Sequence, residues 1–128
     1  MILKVGRFPT KEKLCEVFLA AEEAGAAAIS GINTVPARVS KKDQTPALDE
    51  NRKTSGVCGY PIRATALNFA KEAREVISEN DLQLKLIAGG GITQSQNFYD
   101  FLEYADFVMC GTGWFADPYI FTKWQENR

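Results

Sequence analysis

The sequence predicts an α/β fold in which four strands, each followed by a helix, form a parallel sheet. The main observation is that short apolar runs of strand length alternate with longer stretches in which apolar residues recur at helical spacing. Strands that alternate with helices in this way are expected to be parallel, with the helices outside them. A length of 128 residues suits one domain with a hydrophobic core, so we expect a single domain over residues 1–128.

The first unit is an apolar strand followed by a helix with a recognisable start and end. Residues 2–5 predict a buried strand with one lysine, Lys4, in the middle. Thr10 is suited to cap the helix, whose apolar residues recur at i, i+3, i+4 and i+7 until Gly25 ends it. Lys4 either extends its amine to solvent from the strand end or points into a barrel and needs a partner there. We favour a functional role for it.

The second unit begins with the small apolar strand 26–32, which ends at the polar pair Asn33 and Thr34. Polar residues at the carboxyl end of a parallel strand are placed where the sites of β/α barrels are built. Residues 35–60 have neither helical nor strand periodicity and predict a long loop, of a length usually reserved for function. The loop ends in residues 55–59 (SGVCG), whose glycines permit a close approach of the backbone to a ligand.

The third unit contains the most informative stretch of the chain. Pro61 opens a helical pattern, which precedes a strand over residues 84–88. This strand stops at three successive glycines, residues 89–91. Thr93 and Gln96 have the spacing of a capping box, which predicts that the next helix begins at Thr93.

The fourth unit repeats this arrangement of strand and glycine turn. The strand 107–110 ends in Gly-Thr-Gly at residues 111–113, and Asp117 and Pro118 predict the start of the last helix. Glycine junctions admit a ligand close to the backbone, and the free N–H groups of a helix's first turn attract an anion, most often phosphate. Two such junctions in succession predict a two-sided phosphate clamp.

Four strand–helix units are half of a (β/α)8 (TIM) barrel, which has eight units and about 250 residues. An open, doubly wound sheet of four strands is compatible with the same periodicity. A phosphate site made by the last two strand-to-helix loops is a recurrent feature of barrels, and it favours the half-barrel.

Composition excludes several functional classes. The net charge of −1 and the scattered basic residues argue against a nucleic-acid partner. No segment approaches the roughly 20 apolar residues of a membrane span, and we expect a cytoplasmic protein with no membrane partner. Cys15, Cys58 and Cys110 lack metal-ligand spacing, and histidine is absent, so we expect no metal site and no histidine-dependent catalysis.

Four motifs occur in order across nearly the whole chain. They are Leu3-Lys4-Val5 followed by Pro9; Ile32-Asn33-Thr34; Ser55-Gly56-Val57-Cys58-Gly59 leading to Ile62-Arg63-Ala64-Thr65-Ala66-Leu67; and the paired turns Gly90-Gly91-Ile92 and Gly111-Thr112. In this set the chain resembles the C-terminal half of a dihydroorotate dehydrogenase, the FMN-dependent barrel enzyme of pyrimidine synthesis. The flavin domains of dihydropyrimidine dehydrogenase share the set, so the exact pyrimidine substrate stays open.

The resemblance implies roles for particular residues. Lys4 would lie against the pyrimidine edge of the flavin, and Asn33 and Thr34 would contact a planar pyrimidine substrate. The remaining residues would contact FMN: Gly56 and Gly59 through their backbone, and Gly90, Gly91, Gly111 and Thr112 at its phosphate. Cys58 stands where the family more often has serine or glycine.

The resemblance also implies that part of the site is outside this chain. The family's catalytic base belongs to the N-terminal half of its barrel, so we expect no catalytic residue here. A half-barrel exposes two sheet edges, which predicts a homodimer or association with a chain that carries the N-terminal half. Two alternatives stay open: a non-catalytic half-barrel, and another phosphate-binding barrel enzyme without flavin.

Overall fold

A computed structural model describes residues 1–127, which form a four-stranded parallel sheet, a separate hairpin and five helices. In chain order, the strands are β1 (Ile2–Lys4), β2 (Ala28–Gly31), β3 (Val35–Ala37), β4 (Ser55–Val57), β5 (Lys85–Ala88) and β6 (Phe107–Val108). The helices are α1 (Lys11–Glu23), α2 (Arg63–Glu79), α3 (Asn97–Leu102), α4 (Thr112–Ala116) and α5 (Ile120–Glu126). A 3₁₀ turn, Tyr60–Ile62, precedes α2.

The main sheet has the strand order β1-β2-β5-β6, and every neighbouring pair is parallel. The strands therefore follow one another across the sheet in the order in which they occur along the chain. A doubly wound sheet instead reverses its strand order at a switch point. The described sheet has no such reversal, so the topology is that of a barrel segment.

The two faces of the sheet have different surroundings. Ile29 and Leu86 are paired in register and fully buried in the core, together with apolar residues of α1 and α2. On the opposite face, the side chains of Ile2 and Phe107 are 59% and 58% exposed, and Lys4 is exposed between them. The prediction of a buried first strand is therefore wrong. β1 is an edge strand, and its side chains alternate between a covered and an uncovered face.

The first two long helices confirm their sequence signals. The Thr10 hydroxyl accepts a hydrogen bond from the Lys13 N–H (3.3 Å), and α1 ends just before Gly25, where φ is +73°. α2 follows Pro61, and its buried face includes the predicted Ala66, Phe69, Ala70, Ala73 and Ile77. Capping and apolar spacing are local properties, which explains why the sequence shows them clearly.

The interpretation of residues 35–60 as one irregular loop is wrong at both ends. β3 and β4 pair in an antiparallel hairpin, with Val35 opposite Val57 and Ala37 opposite Ser55. Strands of three residues that contain Pro36 and Gly56 leave almost no periodic signal, because proline and glycine are depleted in strands.

The predicted capping box at Thr93 is also wrong. α3 begins at Asn97. The side-chain oxygen of Asn97 accepts hydrogen bonds from the N–H groups of Thr93 and Gln94, both at 3.2 Å. Residues 93–96 therefore form a turn closed by Asn97. The short helix α4 was not predicted, because the glycines around Thr112 suggested only a turn.

The last helix begins at Ile120, two residues after the predicted start at Pro118. Asp117 accepts a hydrogen bond from the Tyr119 N–H (3.1 Å), as its sequence position suggested. Within residues 1–127, no helix combines the length and the apolar character that crossing a bilayer requires.

Asp106 joins β5 to β6 through its side chain. Its Oδ2 atom accepts hydrogen bonds from the Leu86 N–H (2.8 Å) and from Arg74 Nη2 (2.7 Å). Partial burial raises the pKa of the Asp106 carboxyl, whereas the two hydrogen bonds and the charges of Arg74 and Lys85 lower it. The lowering effects are larger together, so the pKa lies below its ordinary value of 3.8. The ionised carboxylate therefore stabilises the folded state.

We predict that Asp106→Asn lowers the free energy of unfolding by about 1.5 kcal/mol near neutral pH, the difference between a charged and a neutral hydrogen bond. Because the folded-state pKa is depressed, the stabilisation is complete above the unfolded pKa and is lost as the pH falls through the folded value. Urea denaturation between pH 7 and pH 3 should show the two proteins converging at low pH. Glu23→Gln, at an exposed residue, is the control, and a constant gap between Asp106→Asn and wild type would contradict the prediction.

Candidate functional site

A cleft of about 280 Å³ lies where the carboxyl ends of the parallel strands meet the hairpin. It is lined by Lys4, Ile32, Asn33, Thr34, Cys58, Gly59, Ile62, residues 89–92 and residues 109–112. The structure thus brings together eight of the nine residues that the sequence singled out. Gly56 is the exception: it lies on β4 beside the Thr34 side chain and does not line the cleft.

The first glycine turn follows β5 and packs against the start of α2. Gly91 has a φ of +71°, and a Cβ placed on it would lie 2.6–2.8 Å from the Cβ, Cα and N atoms of Arg63. A Cβ on Gly90 would lie 2.7 Å from that of Ala66. Two independent constraints, backbone conformation and lack of space, therefore require glycine at position 91.

The second glycine turn follows β6 and packs on the first. A Cβ on Gly113 would collide with the carbonyl oxygen of Ile92, and the Cys110 thiol donates a hydrogen bond to the same oxygen at 3.8 Å. Burial raises the pKa of the Cys110 thiol. Cys110 is therefore a protonated link between the two turns, in a role that the sequence did not suggest. The sequence likewise did not indicate the packing role of Gly113 against Ile92.

The donors available to an anion differ from those predicted. The N–H groups of Thr93 and Gln94 are taken by Asn97, so they do not form a helix-capping anion site. Among the described residues, none accepts a hydrogen bond from the N–H groups of Gly90, Gly91, Gly111 or Thr112. These four backbone donors belong to the two turns that line the cleft.

Lys4 is the charged side chain of the cleft lining. Its Nζ atom lies 4.0 Å from the sulfur of Met109, to which Ser30 also donates a hydrogen bond at 3.5 Å. Within residues 1–127, Lys4 forms no ion pair. The positive charge at the base of the cleft is therefore available to an electron-rich ligand.

Asn33 and Thr34 stand at the mouth of the cleft, at the point where the chain passes from β2 into the hairpin. The Asn33 N–H donates to the Val5 carbonyl (3.1 Å), which fixes the backbone, while both side chains are exposed. Gly56 leaves room for Thr34, because a Cβ at position 56 would collide with the Thr34 hydroxyl. The hairpin thus sets the position of Thr34, and this is the structural role of Gly56.

Comparison with known proteins identifies the family. A model described as dihydroorotate dehydrogenase matches residues 8–127. The chain belongs to the dihydroorotate dehydrogenase family. This confirms the resemblance seen in the four motifs. Among the described residues, no group of three or more acidic, cysteine or histidine side chains is placed to hold a metal ion.

Curated relatives support the same family. A dihydroorotate dehydrogenase of Dictyostelium discoideum is 45% identical over 130 residues, covering 100% of this chain and 35% of that protein. The catalytic subunit of dihydroorotate dehydrogenase B (NAD(+)) from Oceanobacillus iheyensis is 34% identical over 116 residues, covering 88% of this chain and 35% of the subunit. The chain therefore spans about a third of the length of these relatives.

Two crystal structures of DHODH from Eimeria tenella share the fold. Their TM-scores are 0.75 and 0.72, at 19% and 20% sequence identity, and the match covers 98% of this chain but only 32% and 33% of theirs. The predicted fold class is confirmed: a parallel α/β sheet that forms part of a barrel.

We predict that Gly91→Ala lowers the free energy of unfolding by about 1–3 kcal/mol, because the new Cβ meets the Arg63 backbone and a positive φ is strained for alanine. Gly6→Ala is the matched control, since no atom lies within 4 Å of a Cβ there. Chemical denaturation of both variants measures the difference. Equal stability of the two variants would show that the turn accommodates a side chain.

Proposed function

We propose that this chain forms the FMN-binding part of a dihydroorotate dehydrogenase, the flavoprotein that oxidises dihydroorotate to orotate in pyrimidine synthesis. One observation carries the proposal: in a chain of this family, two glycine turns and an unpaired lysine line the same cleft. Cytoplasm is the compartment we propose, because Cys15, Cys58 and Cys110 are all free thiols, as is usual in reducing compartments.

The cleft fits the phosphate end of FMN. Gly90, Gly91, Gly111 and Thr112 provide backbone N–H groups without an acceptor among the described residues, and backbone donors of this kind suit an anion. Side chains at Gly91 and Gly113 would collide with backbone atoms, so the two turns keep their shape only as glycine turns. We assign the phosphate to this wall of the cleft.

Other residues of the cleft lining suit the ring and the substrate. Lys4 would hold a positive charge next to the flavin's pyrimidine edge, and Gly59 would let the backbone approach the ring. Asn33 and Thr34, with exposed side chains, would offer hydrogen bonds to a planar pyrimidine. When bound, the flavin supplies the hydride acceptor.

The proton acceptor of the reaction is proposed to come from outside this chain. The cleft lining contains no carboxylate and no histidine among the described residues. Of the two thiols in the described lining, Cys58 has no carboxylate or histidine beside it there to take its proton, and Cys110 stays protonated because of its raised pKa and its hydrogen bond to Ile92. A second protein segment would therefore bring the base over the open face of the cleft.

We infer that the open face of the sheet is covered by another half-barrel. β1 and β6 have a free edge among the described residues, and Ile2 and Phe107 expose apolar side chains on the uncovered face. Four further strands would close an eight-stranded barrel. For the chain alone the partner would be a second copy, and otherwise a chain that carries the N-terminal half.

Light scattering during size-exclusion chromatography should show a dimer of the purified chain. We expect Phe107→Glu to shift the equilibrium from dimer to monomer, because the substitution would place a charge in the proposed apolar interface. Leu19→Glu, a partly exposed residue on the outer surface of α1, should leave the dimer intact. A monodisperse wild-type monomer would contradict self-association.

Fluorescence quenching in an FMN titration tests the proposed cofactor site. We predict saturable binding by the wild-type chain and a loss of at least about tenfold in affinity for Thr112→Asp, roughly 1.4 kcal/mol, because a carboxylate would repel the phosphate. Thr122→Asp, at an exposed position on α5, should bind as wild type. Binding that is unchanged in Thr112→Asp would place the flavin phosphate elsewhere, and absence of binding would mean that this chain alone does not form the site.

A further inference from the structure

Arg63 lies behind the first glycine turn, outside the cleft itself. It is the first residue of α2, and its backbone makes the close contact with Gly91 described above. A cation at a helix N-terminus is opposed by the helix dipole, so this position is unfavourable for arginine on local grounds. Its presence there therefore calls for a tertiary explanation.

The guanidinium of Arg63 pairs with a carboxylate on the next helix. Its Nη2 atom donates to Asp100 Oδ2 on α3, and the Arg63 side chain is only 19% exposed. The Nη1 atom is buried and has no hydrogen-bond partner among the described residues. A buried donor without a partner destabilises a fold, so the placement of this side chain has an energetic cost.

The ion pair lies next to the chain segment that contains the first glycine turn, where we propose that the phosphate binds. After β5 the chain turns at Gly91, beside the Arg63 backbone, and continues through Asn97 to α3. There, Asp100 accepts a hydrogen bond from the Arg63 side chain. The segment from Gly91 to Asp100 thus lies against Arg63 at both ends: Gly91 has no room for a side chain beside the Arg63 backbone, and the Asp100 carboxylate pairs with the Arg63 guanidinium. The second turn depends on the first through the contact between Gly113 and Ile92.

We propose that Arg63 is a positioning residue for the cofactor phosphate, acting through Asp100 to hold the turn at residues 89–92 in the shape that receives the phosphate. The proposal rests on the proposed function. Arg63 does not line the cleft, and its Nη1 atom is inaccessible, so the effect is exerted through the backbone of the turn and not by contact with the ligand.

Positioning of the phosphate differs from general stabilisation in one measurable respect. Riboflavin has the ring of FMN but no phosphate, so a variant with a misplaced turn loses affinity for FMN and keeps its affinity for riboflavin. A variant with a generally loosened fold loses both. Comparing the two ligands therefore separates the roles without any measurement of catalysis.

The experiment measures the dissociation constants of FMN and riboflavin for wild type, Arg63→Gln, Asp100→Asn and the double variant by fluorescence quenching. We expect each single variant to bind FMN roughly tenfold more weakly, an effect of the size typical for interactions between residues in contact. The affinity for riboflavin should not change. The double variant should lose little more than either single one, because both changes break the same pair. Circular dichroism establishes that each variant is folded.

Two further variants provide the controls. Glu75→Gln breaks an ion pair of 3.0 Å with Lys11 that joins α1 to α2 on the far side of the fold, and it should leave both constants unchanged. Combining Arg63→Asp with Asp100→Arg reverses the pair and should recover part of the FMN affinity lost in Arg63→Asp alone.

The outcomes are distinguishable. Wild-type affinity for FMN in Arg63→Gln and Asp100→Asn would overturn the role of Arg63 and leave the proposed cofactor site standing. Equal losses for FMN and riboflavin would overturn it as well, in favour of a general stabilising role. Absence of FMN binding by the wild-type chain would overturn the proposed function for this chain and the role of Arg63 with it.

Discussion

The packing of two glycine turns against each other is the constraint on which the site depends. Gly113 leaves no space for a side chain beside the Ile92 carbonyl, and Cys110 donates to the same oxygen. This contact connects the ends of β5 and β6 beyond the two-residue ladder of β6. The two turns in contact carry the four backbone N–H groups that have no acceptor among the described residues.

The sheet has one covered and one uncovered face, and the site lies at the edge between them. Ile29 and Leu86 anchor the covered face in a core built with α1 and α2, while Ile2 and Phe107 are exposed on the other. Burial of apolar side chains on the covered face stabilises the sheet. The uncovered side explains why Lys4 can reach the cleft without an ion-pair partner among the described residues.

Charge in the cleft is sparse and asymmetric. Among the described residues, Lys4 is the only charged side chain of the lining, and the glycine turns add backbone N–H groups that have no acceptor there. A ligand with both an electron-rich ring and a phosphate would match these two features. The ion pair of Arg63 with Asp100 lies behind the turns and joins two helices of this chain, so it is not directed at a ligand.

Several local sequence signals predicted the structure correctly. The Thr10 cap, the apolar face of α2 and the glycine turns after β5 and β6 are all visible in short stretches, since each depends on residues within a few positions. The β3–β4 hairpin and the turn closed by Asn97 were missed. The hairpin pairs residues about twenty positions apart, and the Asn97 side chain competes with a capping pattern that looked equally good.

By itself, the sequence determined the alternation of the four main strands with helices, the positions of the glycine turns and eight of the residues that line the cleft. These follow from apolar periodicity and from the few residue types that a close turn tolerates. Only the tertiary structure decided that the strands keep their chain order, that Gly56 supports Thr34, that Cys110 links the two turns, and that Arg63 lies behind the cleft. Such contacts join residues distant in the chain, and no local pattern of residue types encodes which distant residues meet.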